Sequence, residues 1–315
     1  MLKPTIYIVV PCYNEEAVLE ETVRVLSKKL CSLIKNKVIK SDSRLVFIDD
    51  GSKDKTWSAI ENISKTNSYV AGIKLSSNRG HQNALIAGLM YAKDLSDAVI
   101  SMDADLQDDI NSVDMFIKEF VNGHDIVYGV RSSRSTDTLF KRSTAQAFYL
   151  FMLKMGVNIV YNHADYRLMS KRSLDELANY KEVNLFLRGV VPMIGLSSTS
   201  VEYVRNERFA GESKYPLNKM LSFALDGITS FSIKPIRSIL ALGSIVLLAS
   251  LVFLIYIIVQ NILGNTVQGW SFIACSLWFL GGIQMVSIGL IGEYIGKIYA
   301  ETKSRPRYMI DKIIS

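Results

Sequence analysis

Residues 238 to 292 contain no Asp, Glu, Lys or Arg, whereas charges run throughout residues 1 to 235. A buried core helix would need a large surrounding domain, which the residues at this end do not supply, so the division predicts two compartments. From Ile239 to Val259 about 21 residues pass without a charge, the length of helix that crosses a ~30 Å hydrocarbon layer. A second such run starts at Trp270 and ends near Ile291. The connecting segment, QNILGNTVQG, is short and rich in turn formers, which predicts a tight antiparallel hairpin of two spans.

The expected boundaries are a catalytic domain over 1–213, an amphipathic juxtamembrane segment over 214–237, spans over 238–260 and 270–292 joined by an extracytoplasmic loop over 261–269, and a basic tail over 293–315. Lys234 and Arg237 precede the first span, Lys297, Lys303, Arg305 and Arg307 follow the second, and the loop between carries none. The positive-inside rule therefore predicts that both termini are cytoplasmic, in the inner or plasma membrane of a bacterium. The apolar run before Pro11 is too short for a signal peptide, which agrees. Gly282, Gly289, Gly292 and Gly296 have a spacing that suits close helix packing within the hairpin or between protomers.

The formal charge of +6 is too mild for a dedicated nucleic-acid binder and fits anionic lipid or a phosphorylated substrate. Cys12, Cys31 and Cys275 are odd in number and far apart, which argues against a disulfide framework or a zinc site. Before the membrane, TIYIVVP, EEAVLEETVRVLSKKL, RLVFIDD, KTWSAIENISK, YVAGIKL, HQNALIAGLMYAK and AVISMDAD alternate strand and helix patterns. That rhythm predicts an α/β domain, a mostly parallel sheet flanked by helices. No G-x-G-x-x-G opens a helix and no Walker loop is present, so dinucleotide and P-loop chemistry are set aside.

Three polar clusters follow predicted strands, at the sheet edge where open α/β folds bind ligands. They are Pro11-Cys12-Tyr13-Asn14-Glu15-Glu16, then Asp49-Asp50-Gly51-Ser52, then Met102-Asp103-Ala104-Asp105-Leu106-Gln107-Asp108. Asn14 also suits a helix N-cap. On an extended segment Asp103 and Asp105 project to one side, so both can meet one hard cation with Gln107 as a third oxygen. Their crowded charges call for such a partner.

Together PCYNEE, IDDGS and MDADLQD resemble the family 2 glycosyltransferases of the GT-A fold. SSNRGHQNALIAGL, YGVRSSR, ADYRLMS, FLRG, AGESKY and GEYIGKIY with RPRY extend the resemblance to the polyprenyl-phosphate branch, which includes dolichol-phosphate mannose synthase and the bactoprenol glucosyltransferases of O-antigen modification. The resemblance implies a donor nucleotide site at Pro11, Tyr13, Asn14, Glu15, Asp49, Asp50, Asn78, Arg79 and Asp103. It implies Mg²⁺ or Mn²⁺ on Asp105 and Gln107, with Asp103 beside them, offsetting charge on the leaving nucleoside diphosphate. Asp165 occupies a position that family members use near the acceptor, as base or orienter, with Arg167 beside it.

A lipid phosphate is already anionic, so a dedicated general base is not obligatory, and positioning and charge compensation carry more of the work. Arg131, Arg134, Arg142, Arg188, Arg208 and Lys214, with Lys141, are the candidate acceptor-phosphate ligands, Arg131 and Arg208 first. KYPLNKMLSFALDGITSF has apolar residues at helical spacing and suits either an interfacial helix or one packed on the domain. The expected reaction is inverting transfer of a hexose to undecaprenyl phosphate. UDP-glucose is the first choice of donor, and UDP-GlcNAc and GDP-mannose are the alternatives. A membrane scaffold that kept the fold without the chemistry is the rival reading, and a homo-oligomer, by family likeness a tetramer, is expected.

Overall fold

The computed structural model describes residues 3–132, 163–183, 186–205, 232, 234–263 and 269–315. Among them the strands are β1 (Ile6–Cys12), β2 (Arg44–Asp49), β3 (Val70–Leu75), β4 (Ala98–Ser101), β5 (Ile126–Arg131), β6 (His163–Ser170), β7 (Ser198–Tyr203) and β8 (Ile310–Ile314). The helices are α1 (Glu16–Lys35), α2 (Thr56–Thr66), α3 (His81–Ala92), α4 (Ser112–Val121), α5 (Lys171–Ala178), α6 (Leu187–Met193), α7 (Lys234–Ile262) and α8 (Trp270–Lys303).

The strands form one sheet in the order β7-β5-β6-β4-β1-β2-β3-β8. The pairings β1–β2, β1–β4, β2–β3 and β5–β7 are parallel, and β4–β6, β5–β6 and β3–β8 are antiparallel. The parallel half is the part visible as β-α rhythm in the sequence. The antiparallel insertion of β6 is not, because HADYRLMS mixes charged and apolar residues without clean alternation.

Side chains divide by the period of two. Ile6, Ile8, Val10 and Cys12 of β1 pack with α1, α2 and α4 through Leu19, Leu26, Ile60 and Phe116. Val9 of β1 joins Val46, Ile48 and Val99 on the other face, against α3, α5 and α6. Helices on both faces make this a three-layer α/β/α domain. Burial on this scale, at roughly 1.5–3 kcal/mol per large aliphatic side chain, fixes the sheet and hence the loops that leave its edge.

α8 is one continuous helix of 34 residues. Within it Phe279–Lys303 has a mean hydropathy of 1.3, is long and apolar enough to cross a membrane, and has no residue buried by the chain. It runs eleven residues past the expected limit at 292. Cβ atoms at Gly282, Gly289, Gly292 and Gly296 would meet nothing within 4 Å, so these glycines pack against no other described part of the chain. The tail expected to be merely basic carries β8, which pairs with β3.

Candidate active site

The parallel strands β1, β2 and β4 end side by side, and the loops that follow them are tied together by side chains. Asn14, which has φ 53°, donates from its N to Ser52 Oγ at 3.0 Å and accepts from Lys53 N at 2.9 Å. Glu15, rather than Asn14, is the N-cap of α1, and it has no side-chain cap bond. Asn14 therefore joins the first two loops instead of capping the helix. Gly51 completes the second loop at φ +65°, and a Cβ there would lie 2.6 Å from Asn78 N, so only glycine lets the third loop approach.

The adjacent carboxylates Asp49 and Asp50 have different partners. Both oxygens of Asp50 accept backbone N–H groups, Arg79 N at 2.7 Å and Gly80 N at 2.9 Å, which pins the β3–α3 loop. Asp49 is fully buried and accepts Ser52 N at 3.2 Å through Oδ1. Its Oδ2 is buried with no partner among the described residues. Burial raises the carboxyl pKa of both. Pro11 is buried, Tyr13 and Glu15 are half-buried, and Asn78 and Arg79 are exposed on the third loop.

The third carboxylate cluster lies in a turn, not on an extended strand. β4 stops at Ser101, and Leu106 takes φ 55° between Asp105 and Gln107. This left-handed backbone is strained for a leucine, and neighbouring elements hold it. Thr22 Oγ1 of α1 lies 2.7 Å from the Ala104 carbonyl oxygen, Tyr166 donates its hydroxyl to Asp109 O at 3.0 Å, and Tyr203 donates to Asp108 Oδ1 at 2.6 Å. Asp105 Oδ1 accepts Gln107 N at 3.2 Å, and Gln107 Oε1 accepts Arg205 Nη2 at 2.5 Å. Asp103, Asp105 and Gln107 all remain partly exposed, whereas Asp108 is buried.

A second cluster adjoins the first. Asp165 accepts Arg167 Nη2 at 2.7 Å and receives Arg188 through two bonds, Nε to Oδ1 at 3.3 Å and Nη2 to Oδ2 at 3.0 Å. His81, the first residue of α3, places Nε2 at 3.7 Å from Asp103 Oδ1 and 3.9 Å from Asp165 Oδ2, bridging the two clusters. Burial alone would raise the Asp165 pKa, but the Arg188 and Arg167 guanidinium groups overcome it and hold the carboxyl far below the usual range. Asp108 goes the other way: burial, with the Asp103 charge adding to it, pushes its pKa up to about 7. Burial also raises Asp103, which His81 opposes.

A divalent cation fits this donor set. Mg²⁺ needs only one or two protein carboxylates when substrate phosphates complete its shell, and Asp105 and Gln107 offer a carboxylate and an amide oxygen on one turn. Gln107 Oε1 already bears a positive group, the Arg205 guanidinium, so the position suits a cation. Among the described residues no three His, Cys, Asp or Glu side chains make a ready-formed cage. The cation would therefore arrive with a diphosphate that supplies the remaining oxygens.

Of the expected acceptor ligands, Arg131 ends β5 and Arg188 lies on α6 against Asp165. Arg134, Lys141, Arg142, Arg208 and Lys214 lie outside the described residues, as does most of the amphipathic segment. His81, Asp108, Tyr203 and Arg205 were not expected as site residues. Asp108 and His81 had local signals, since Asp108 closes the acidic cluster and His81 follows Arg79 and Gly80 in SSNRGHQNALIAGL. Tyr203 and Arg205 meet the site from a distant part of the chain.

Polar loops at the carboxyl edge of a parallel-centred sheet, with paired carboxylates after β2 and a D-x-D-x-Q turn after β4, define a glycosyltransferase of the GT-A fold. Residues 7–178 match the family described as Glycosyl transferase family 2, and the chain belongs to that family. It is 55% identical over 309 residues to the uncharacterized glycosyltransferase YkoT of Bacillus subtilis, covering 98% of this chain and 92% of that one. It is 40% identical to the bactoprenol glucosyl transferase of Shigella phage SfX, covering 97% of this chain and 98% of that one. A prophage bactoprenol glucosyl transferase homolog of Escherichia coli is 39% identical, covering 98% and 99%.

Proposed function

We propose that this chain moves a hexose, glucose from UDP-glucose in the first instance, to undecaprenyl phosphate at the cytoplasmic face of a bacterial membrane. The names of the full-length relatives support this acceptor and sugar. The observation that carries the chemistry is the pinned Asp165: a carboxylate held by two arginines is a poor proton acceptor, and a phosphate acceptor needs none.

In the proposed step an oxygen of the lipid phosphate attacks the anomeric carbon from the side opposite the nucleotide. The bond from that carbon to the diphosphate oxygen breaks with its electron pair, inverting the centre and releasing UDP. No proton moves to or from the protein. Asp105 and Gln107 would hold Mg²⁺ or Mn²⁺, whose Lewis acidity offsets charge on the leaving diphosphate. Asp49 Oδ2, buried and without a partner among the described residues, suits an N–H of the donor base. Asp50 shapes the donor pocket by fixing the Arg79–Gly80 backbone. Arg131, with Arg134, Arg142, Arg208 and Lys214, would compensate the acceptor phosphate, and Asp165 orients Arg188 toward the same charge.

The two apolar segments would form a hairpin that anchors the domain with both termini cytoplasmic, and subunits would assemble as a homo-oligomer. The test is incubation of purified protein with undecaprenyl phosphate, Mg²⁺ or Mn²⁺ and, separately, UDP-glucose, UDP-GlcNAc and GDP-mannose. UDP-glucose should give a glycolipid and equimolar UDP, and Asp105→Ala should lower the rate at least 100-fold. Nucleotide binding without product from any donor would favour the scaffold reading.

A further inference from the structure

Arg205 lies two residues past β7, and Arg131 is the last residue of β5. These strands run parallel, with Arg131 opposite Tyr203, so the two arginines leave the sheet from neighbouring strand ends. Each keeps a buried Nε–H without a partner among the described residues. Two guanidinium groups near one another, each with an unsatisfied donor, are costly without an anion. Asp108 offsets part of their charge, but its hydrogen bond is with Tyr203 and it accepts neither Nε–H. What Arg205 does hold is Gln107 Oε1, at 2.5 Å.

That oxygen is the amide donor expected to face the divalent cation. Two positive groups on one neutral amide oxygen repel strongly in a partly buried site, so guanidinium and metal are alternatives there. We infer that Arg205 is a stand-in for the cation on Gln107, and that metal binding displaces it to pair with Arg131 around the acceptor phosphate. Arg205 is then a positioning residue when the site is metal-free and a phosphate ligand when it is loaded. The inference rests on the proposed function and deepens it by linking metal occupancy to assembly of the acceptor subsite. A rigid orienting role, in which Arg205 stays on Gln107, requires the opposite sign of effect on metal binding.

The experiment uses the full chain in detergent with UDP present and follows free Mn²⁺ by its paramagnetic resonance signal. Arg205→Met should bind Mn²⁺ about tenfold more tightly than the parent, having lost the competing cation. In turnover at saturating Mn²⁺ and donor, both Arg205→Met and Arg205→Lys should raise KM for undecaprenyl phosphate at least tenfold and leave KM for the donor within twofold. Weaker or unchanged Mn²⁺ binding, or an unchanged acceptor KM, would overturn the inference. Should the Met variant fail to give a monodisperse protein, Arg205→Lys, which keeps the charge but loses the fork, decides through the KM split. Failure of every donor to give glycolipid would defeat the functional reading instead, and the Mn²⁺ titration would still decide the exchange.

Discussion

Asp108 and Asp165 sit in adjoining clusters, and their carboxyl pKa values are moved in opposite directions. The Asp108 carboxyl is raised to about 7, so its protonated form is the one the fold favours. Its contribution to stability is complete below the unfolded value near 3.8 and is lost as pH rises from there to about 7. Asp108→Asn keeps a neutral acceptor for the Tyr203 hydroxyl. The variant should match the parent near pH 4, gain on it by at most about 1.4 kcal/mol per pH unit up to pH 7, and level off above. Denaturant melts across that range check it, and a constant difference would contradict the assignment. For Asp165 the expectation is reversed. Asp165→Asn leaves the buried Arg167 guanidinium short of its counter-charge and should cost about 3 kcal/mol. Adding Arg167→Met should restore part of that stability and none of the activity. Asp49, Asp103, Asp105 and Gln107 were legible in the sequence because each sits just after an apolar strand run. Arg205 was not, since nothing local marks a residue whose partner is 98 positions away.

At the scale of elements, the sequence showed β1 to β4 and α1 to α3 because their apolar periods are clean. It hid β8, whose IDKII pattern is brief and follows a run of basic residues. β8 nevertheless fastens the long helix to the domain. Ser76 N donates to Met309 O at 2.9 Å, Lys312 pairs with Glu61 at 2.6 Å, Arg307 donates to the Tyr180 carbonyl, and Glu301 accepts Val183 N at 2.8 Å. A Cβ at Gly72 would lie 2.9 Å from the Ile314 side chain and 2.6 Å from Ile60, so strand and tail meet without room to spare. Deleting residues 309–315 should lower domain stability by roughly 1 kcal/mol, the order expected for the partly buried Ile314. It should also open Lys303 and Arg307 to trypsin. Unchanged protection in a digestion time course would show that β8 is not the fastening.

For the whole molecule, the division seen in the charge pattern reappears as a three-layer domain with its polar loops at one sheet edge and a long apolar helix tied to the sheet through β8, which pairs with β3. Family membership was legible because the three acidic motifs and their order survive intact. The acceptor side was less so, because its cationic residues are spread over segments that no short pattern links. The proposed phosphate acceptor, which brings its own negative charge, agrees with a site in which two arginines hold Asp165. The most direct measurement offers UDP-glucose and Mg²⁺ to the full chain in vesicles carrying either undecaprenyl phosphate or undecaprenol, and reads glucolipid formed. The account predicts product from the phosphate alone; transfer to the alcohol at a comparable rate would contradict it.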